Sequence, residues 1–295
     1  MSSVAIVTDS VASIPVAISK ELKICWVPYY IHRGKEVLRD IISIDCESFY
    51  RWLPDAIEYP TTANPSLFDY QQVYNGLIES GVQEIVSIHI TSKGSGAYQA
   101  ATLAKRTTLE NFPDIKIEVI DTLNVSMCQG WMAIEAARAS MEGASFENII
   151  GLVRGMIPIT QMMQTADTLK YLYMGGRIGK AKHLMGSILN IKPIISMQDG
   201  VIVSLVQARS RRKAYQMMVE KIDTAIERKG KIKIAYMHAA AMEEIEKLRE
   251  LVEDRITVVE SLISELPPAL GVHTGPGTAG LCYFPVTDLP PNHLK

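Results

Sequence analysis

The feature that most constrains the fold of this chain is an alternation of short apolar runs with helical patterns. Each run has the length and β-branched content of a strand, and a polar turn and a helical segment follow it. Strands that alternate with helices pair in parallel through right-handed crossovers. The first half is therefore predicted to be an α/β domain. Its strands are expected at Val4–Val7, Ile24–Ile31, Val82–Ile90 and Ile115–Ile120. Its helices are expected at Val11–Lys20, from Pro65 (capped by Asn64) to Ser80, from Gly96 to Glu110, and after the cap Ser126 to Glu142.

A second unit begins near Ile157-Pro158. Gln198-Asp199-Gly200 is a hairpin turn signal between two apolar runs, so antiparallel pairing is expected here beside further strand–helix units. A length of 295 residues also favours two domains, predicted at 1–156 and 157–295. The second domain is expected to have a mixed sheet with strands at Thr160–Thr165, Ile194–Met197, Val201–Val206, Lys231–Met237, Thr257–Ser261 and Ala279–Phe284. Its helices are expected to be a short one that begins at Asp167-Thr168-Leu169 and two longer ones at Ser210–Arg228 and Ala241–Glu253.

Composition gives no support to several classes of function. The net charge of −2 gives no global reason to bind nucleic acid. No apolar stretch approaches the roughly 18 residues of a membrane span, and no signal peptide is recognisable, so a cytoplasmic protein without stable membrane insertion is expected. The four cysteines lack CxxC spacing and the histidines lack ligand spacing, so no metal site is predicted.

Four polar segments lie where strands are expected to end and lead into helices. Ligands of open α/β sheets bind at such places, and free N–H groups at helix N-termini attract anions such as carboxylates. Small residues at Gly94, Ser95 and Gly96 would let a ligand approach the backbone closely. A purely structural interpretation, in which the Ser and Thr hydroxyls only cap helices, stays open for all four segments: Thr8-Asp9-Ser10, Thr61-Thr62-Ala63-Asn64, Ser92–Gly96 and Asp121-Thr122.

Two glycine-rich segments in the second half need separate interpretation. Gly175–Lys180 does not match a phosphate loop, because its spacing is wrong and Ala181 follows the lysine. In His273-Thr274-Gly275-Pro276-Gly277 the glycines and proline predict a tight turn, beside a histidine that could hydrogen-bond an anion or be structural. No GxSxG, HExxH or early GxGxxG motif is present. The sequence therefore favours a binding site over a reaction centre.

A local basic cluster stands out in a slightly acidic protein. Between residues 177 and 213 eight basic side chains accompany only Asp199. The cluster is either a solvated surface or a docking face for an acidic partner or a phosphate. Its members are Arg177, Lys180, Lys182, Lys192, Arg209, Arg211, Arg212 and Lys213.

An ordered series of motifs along nearly the whole chain resembles the DegV family. The first half contributes Val4–Ser10, Thr62–Ser66, Ser92–Tyr98 and Asp121-Thr122 with the helix after Ser126. The second half contributes Leu169–Leu172, Gly175–Gly179, Leu189–Ile194 and His273–Gly277. Four residues depart from the family pattern within the two loops nearest the expected carboxylate: Ala63, Asn64, Gly94 and Ala97.

The resemblance implies a DegV-like two-domain fold that holds a long-chain fatty acid between the domains, without a cofactor. Thr62, Ser95 and Gly96 would contact the carboxylate, with His273 nearby. Such proteins serve as the fatty-acid-binding subunit of a bacterial fatty acid kinase, in which a separate ATP-dependent subunit phosphorylates the carboxylate for phospholipid synthesis. Arg177 and Arg209 would face that kinase subunit. The chain would then be a carrier and not itself an enzyme.

Two alternatives remain open at the level of sequence. The chain could be an enzyme acting on a small phosphorylated or carboxylated substrate, with Asp9, Asp121 or His273 as acid or base. It could also be a transcriptional or scaffold protein that binds nucleic acid through Arg209–Lys213, which would make that binding steeply salt-dependent.

Overall fold

The computed structural model describes residues 4–184, 191–227 and 230–286. Leu189 and Asn190 of the DegV-like segment, and Arg228 at the predicted end of a helix, lie outside these residues. The strands of the described part are β1 (Ala5–Asp9), β2 (Cys25–Val27), β3 (Tyr30–Arg33), β4 (Glu36–Arg39), β5 (Thr61–Ala63), β6 (Glu84–His89), β7 (Lys116–Asp121), β8 (Gln161–Thr165), β9 (Lys192–Gln198), β10 (Val201–Ala208), β11 (Lys231–His238), β12 (Thr257–Glu265) and β13 (Ala279–Pro285). Its α-helices are α1 (Val16–Glu21), α2 (Cys46–Trp52), α3 (Leu67–Glu79), α4 (Ala97–Asn111), α5 (Met127–Met141), α6 (Phe146–Met156), α7 (Lys170–Met174), α8 (Arg211–Ala225), α9 (Met242–Glu253) and α10 (Pro268–Thr274).

The first half contains the predicted parallel sheet, in the order β2-β1-β6-β7. All three pairings in this sheet are parallel. Helices α3 and α4 pack against each other and against strands of the sheet, while α5 packs on β1 and β6. The α/β prediction is confirmed, and three of the four polar segments follow the carboxyl ends of β1, β6 and β7.

The predicted strand Ile24–Ile31 is wrong as a single element. Pro28 lacks an N–H for the sheet ladder, so β2 ends at Val27 and β3 begins at Tyr30 in a different sheet. That sheet is antiparallel, in the order β4-β3-β5. Residues Thr61–Ala63 were predicted as a loop, but they form β5, in which Thr62 pairs with Ile31.

Two predicted helix starts and one predicted cap are corrected by the local chemistry. The helix expected from Val11 is a 3-10 turn, and α1 starts after Pro15, because a proline disfavours helical backbone in the residue before it. The cap of α3 is Ser66 and not Asn64, because Ser66 and Asp69 form a reciprocal capping box. Ser126 precedes α5 but caps no N–H; its hydroxyl lies 2.9 Å from the Ser13 hydroxyl.

The second half forms the predicted mixed sheet, in the order β10-β9-β8-β13-β11-β12. The β9–β10 hairpin is confirmed, and β11 pairs in parallel with β12 through the crossover helix α9. Helices α8 and α9 cover one face of this sheet, and Met163 of β8 belongs to the core that they share with it. The neighbouring Met162 faces the other side, where the core continues into α5.

Helix α5 lies between the two large sheets. It packs on β1 and β6 and also on β13, and its Trp131 ring lies 5.7 Å from the ring of Phe284. At its exposed edge Arg138 binds Glu260 of β12 at 2.6 Å. The predicted boundary between residues 156 and 157 falls in the turn between α6 and β8. The division into two domains stays a prediction, since α5 joins both sheets into one core.

Candidate ligand-binding site

A cavity of about 230 Å³ opens where the carboxyl edge of the parallel sheet meets α10 and the inner face of the six-stranded sheet. Residues on both sides of position 156 line it. Its apolar wall consists of Val11, Ile90, Val125, Met162, Leu172, Met197, Val201, Ile202, Leu266, Ala269 and Leu270.

Two hydrogen-bonded pairs of side chains stand out in the polar part of the wall. The Thr62 hydroxyl of β5 lies 2.8 Å from Nε2 of His273 on α10. The Ser95 hydroxyl, in the loop between β6 and α4, lies 2.6 Å from the Tyr29 hydroxyl. Three of the four side chains were predicted to bind a ligand, and the fold brings them into one wall from positions far apart in sequence.

Arg177 connects these two pairs. Its guanidinium donates to the carbonyl oxygen of Gly175 at 2.8 Å and to that of Gly94 at 3.4 Å. Gly175 lies against the His273 ring, and Gly94 adjoins Ser95. Arg177 was predicted to face a partner; the structure places it in the cavity wall while it remains exposed to solvent.

His273 is held neutral. Burial, and secondarily the charge of Arg177, lowers its pKa to about 4. Its Nδ1 is buried without a hydrogen-bond partner among the residues that the structure describes. Burial, and next the Asp9 carboxylate, raises the pKa of Tyr29 well above its usual range. The wall therefore offers neutral hydroxyl and imidazole groups, with the Arg177 cation beside them.

Gly96 and Arg209 do not line the cavity, so far as the described residues show. Gly96 caps α4, and a Cβ at this position would lie 2.8 Å from Oδ1 of Asn64, which does line the cavity. Arg209 is exposed just after β10. The proposed roles of both residues stay predictions.

The basic cluster is less free than its sequence indicated. Asp167 lies outside residues 177–213, yet it binds Lys192 at 2.7 Å and Arg211 at 2.9 Å. Two of the eight cations are thus paired with the same carboxylate within the chain. Arg209, Arg212 and Lys213 are exposed at the start of α8.

The acids of the alternative enzyme hypothesis are engaged elsewhere. Asp9 is buried and bound by His89 Nδ1 and Gln129 Nε2, both at 3.0 Å. Asp121 accepts the backbone N–H groups of Ser92 and Leu123. Neither residue lines the cavity.

Sequence reasoning missed Tyr29 and Gln164 as cavity residues. Tyr29 was assigned to the interior of a strand, and Gln164 carries no local signal beyond its place in β8. Within the described ranges no three His, Cys, Asp or Glu side chains form a metal-binding group. Nor does any helix there have the length and apolar character needed to cross a membrane.

Comparison with known proteins identifies the family. The model of the DegV family matches residues 3–286. The chain belongs to the DegV family. Protein DegV of Bacillus subtilis is 31% identical over 281 residues, which cover 95% of this chain and 98% of that protein.

Solved structures of proteins described as fatty acid binding share this fold over nearly their whole length. A DegV family protein from Thermus thermophilus, described as fatty acid binding, has a TM-score of 0.90 and 28% identity, covering 96% of this chain and 100% of that one. A stearic acid-binding protein from Eubacterium ventriosum has a TM-score of 0.88 and 27% identity, with coverages of 96% and 98%. The predicted DegV-like fold is confirmed.

Proposed function

We propose that this DegV family protein binds a long-chain fatty acid in the cavity between its 1–156 and 157–295 domains. One observation carries the proposal: the cavity is largely apolar, and the Thr62–His273 and Ser95–Tyr29 pairs both lie in its wall. Fatty acid binding by DegV relatives of the same fold supports it.

The polar groups suit a carboxylate. Neutral His273 carries one ring proton, and if that proton is on Nε2 it is donated to the Thr62 oxygen, which frees the Thr62 hydroxyl to donate to the ligand. The Ser95 hydroxyl can donate likewise while it accepts from Tyr29. Hydrogen bonds to an ionised acceptor are the stronger kind, so the bound carboxylate favours this arrangement of protons.

The apolar wall supplies the affinity. Each buried CH₂ contributes about 0.8 kcal/mol, so about ten methylenes give roughly 8 kcal/mol before the costs of association. The carboxylate bonds then fix which end of the chain lies at Thr62 and Ser95.

Titration of the delipidated protein with octadecanoic acid tests this function. We expect Thr62→Ala combined with Ser95→Ala to weaken binding about 10- to 100-fold, because each hydrogen bond to a charged group contributes roughly 1.5–3 kcal/mol and water replaces part of it. Ser80→Ala with Thr107→Ala removes two hydroxyls outside the cavity, one at the exposed end of α3 and one at a half-buried position of α4. This matched control should bind like the wild type. An unchanged affinity in the cavity variant would contradict the assignment of the site.

We further propose that the carboxylate is presented to a separate ATP-dependent kinase subunit, and that the chain is not itself an enzyme. The exposed cations near Arg209, and Arg177 at the cavity wall, support a docking face for such a partner. Asp9 and Asp121, engaged elsewhere, give no support to the small-substrate enzyme.

Acyl phosphate formation by a purified kinase subunit tests presentation. Arg209→Ala should lower the rate several-fold at low salt, since rim charges act chiefly on association, and it should leave octadecanoic acid affinity unchanged. Arg106→Ala, an exposed arginine on α4 outside the basic cluster, is the control. Equal rates for all three proteins would refute docking through Arg209, and product formed without the kinase subunit would favour an enzyme.

A further inference from the structure

Gln164 is a polar side chain placed on the apolar floor of the cavity. It lies on β8 two residues from Met162, on the same face of the strand, and both residues line the cavity. Its exposed fraction is 6%. Gly280 of β13 pairs with it, and a Cβ on Gly280 would lie 2.5 Å from the Gln164 Cβ, so the absence of a side chain there makes room for the glutamine.

The Gln164 carboxamide has no hydrogen-bond partner among the residues that the structure describes. It differs in this from the other polar side chains of the wall. Thr91 donates to the Gly200 carbonyl at 2.9 Å, and the Ser126 hydroxyl lies 2.9 Å from that of Ser13. Every other polar side chain that lines the described cavity also makes at least one hydrogen bond, namely Tyr29, Thr62, Asn64, Lys93, Ser95, Arg177, His273 and Thr274.

An unsubstituted acyl chain leaves this carboxamide without a partner. A CH₂ group neither donates nor accepts a hydrogen bond. A saturated chain lying on β8 would therefore displace water from the amide without replacing the hydrogen bonds that water makes. A site with a buried polar group discriminates strongly against a ligand that lacks the matching group.

We propose that the preferred ligand is a fatty acid with a hydroxyl on its acyl chain, and that the Gln164 carboxamide binds this hydroxyl. A carboxamide has one acceptor oxygen and two N–H donors, and a hydroxyl both donates and accepts, so one substituent can satisfy either end of the amide. The inference rests on the proposed fatty acid function and deepens it: Thr62 and Ser95 recognise the carboxylate, and Gln164 recognises the chain.

The test is a titration of delipidated protein with octadecanoic acid and with a panel of monohydroxyoctadecanoic acids substituted at successive carbons. For the wild type, at least one member of the panel should bind roughly tenfold more tightly than octadecanoic acid. Gln164→Met has a similar volume and no polar group. It should abolish this preference by weakening the hydroxy acid while octadecanoic acid binds as well or better.

Gln207→Met is the matched control, since Gln207 is an exposed glutamine in strand β10, and it should keep the wild-type preference. Far-ultraviolet circular dichroism and a melting curve establish that Gln164→Met is folded.

If octadecanoic acid binds the wild type as tightly as every hydroxy acid, the inference is overturned and the proposed function survives. An equal loss of both ligands in Gln164→Met would assign the amide to the carboxylate and also overturn it. If the wild type binds no fatty acid, both fail.

Discussion

At the residue scale, His273 shows how burial sets the chemistry of the site. Its ring is enclosed by α7 and by the polar wall, and burial disfavours the imidazolium form, with Arg177 adding repulsion. A neutral histidine can orient the Thr62 hydroxyl without bringing a second cation. The cost of keeping it neutral appears as a pH dependence of stability.

His273 should make the protein less stable in acid. Its folded pKa of about 4 lies below the ordinary 6.5, so the unfolded chain binds more protons between these values and stability is lost as pH falls through that window. His273→Gln, whose amide can replace Nε2 toward Thr62, does not titrate. Between about pH 7.5 and pH 4.5 the wild type should lose about 2–3 kcal/mol of unfolding free energy relative to the variant.

Urea denaturation of both proteins at the two pH values measures this difference. Asp40 acts in the opposite sense, because burial raises its pKa to about 7 and its stabilisation is lost as pH rises. Asp40 is present in both proteins, so its contribution cancels in the comparison. A difference that stays constant with pH would show that His273 titrates normally in the folded protein.

At the element scale, α10 positions the site through contacts at both of its ends. Near its start, the buried Asp40 carboxylate accepts the N–H of Ala269 at 3.0 Å and the Ser10 hydroxyl at 2.6 Å. Near its end, His273 packs on Gly175 at the C-terminus of α7. The helix is short, so its position depends on these neighbours more than on its own propensity.

Gly175→Ala tests the contact between α7 and α10. A Cβ at this position would overlap the His273 Nδ1, so the ring must shift from the position in which its Nε2 meets Thr62. We expect a loss of about 1–3 kcal/mol of unfolding free energy and weaker fatty acid binding. Thermal melting and ligand titration measure the two effects.

Gly151→Ala is the matched control on α6. A Cβ there would meet no atom within 4 Å, and alanine favours a helix interior over glycine by roughly 0.5–1 kcal/mol, so this variant should be as stable as the wild type or more so. Equal melting temperatures for wild type and Gly175→Ala would mean that the close approach of Gly175 to His273 contributes nothing to stability.

At the scale of the whole molecule, sequence periodicity predicted what depends on local pattern. The runs that became β1, β6, β7 and β11 have regular strand patterns, and the Asp199-Gly200 turn marked the hairpin. The sequence pattern missed strand Thr61–Ala63 and merged Tyr30–Arg33 with the strand before it. Strands this short are defined by pairing partners that are distant in sequence. A proline at position 28 was the one local sign of the break.

The site was predictable only in part for the same reason. Motifs in the sequence predicted Thr62, Ser95 and His273 as site residues. Tyr29 and Gln164 become cavity residues only when the sheets pack together. The pairing of Lys192 and Arg211 with Asp167 likewise depends on the fold. Charge counted along the sequence therefore overstated the free basic surface.

Mass spectrometry of an organic extract from the purified, untreated protein tests the central claim most directly. We predict one long-chain fatty acid per chain, bearing a hydroxyl, and much less of it in Thr62→Ala combined with Ser95→Ala. The Ser80→Ala, Thr107→Ala control should retain it. An empty wild-type protein that also takes up no added fatty acid would contradict the claim that this cavity binds an acyl chain.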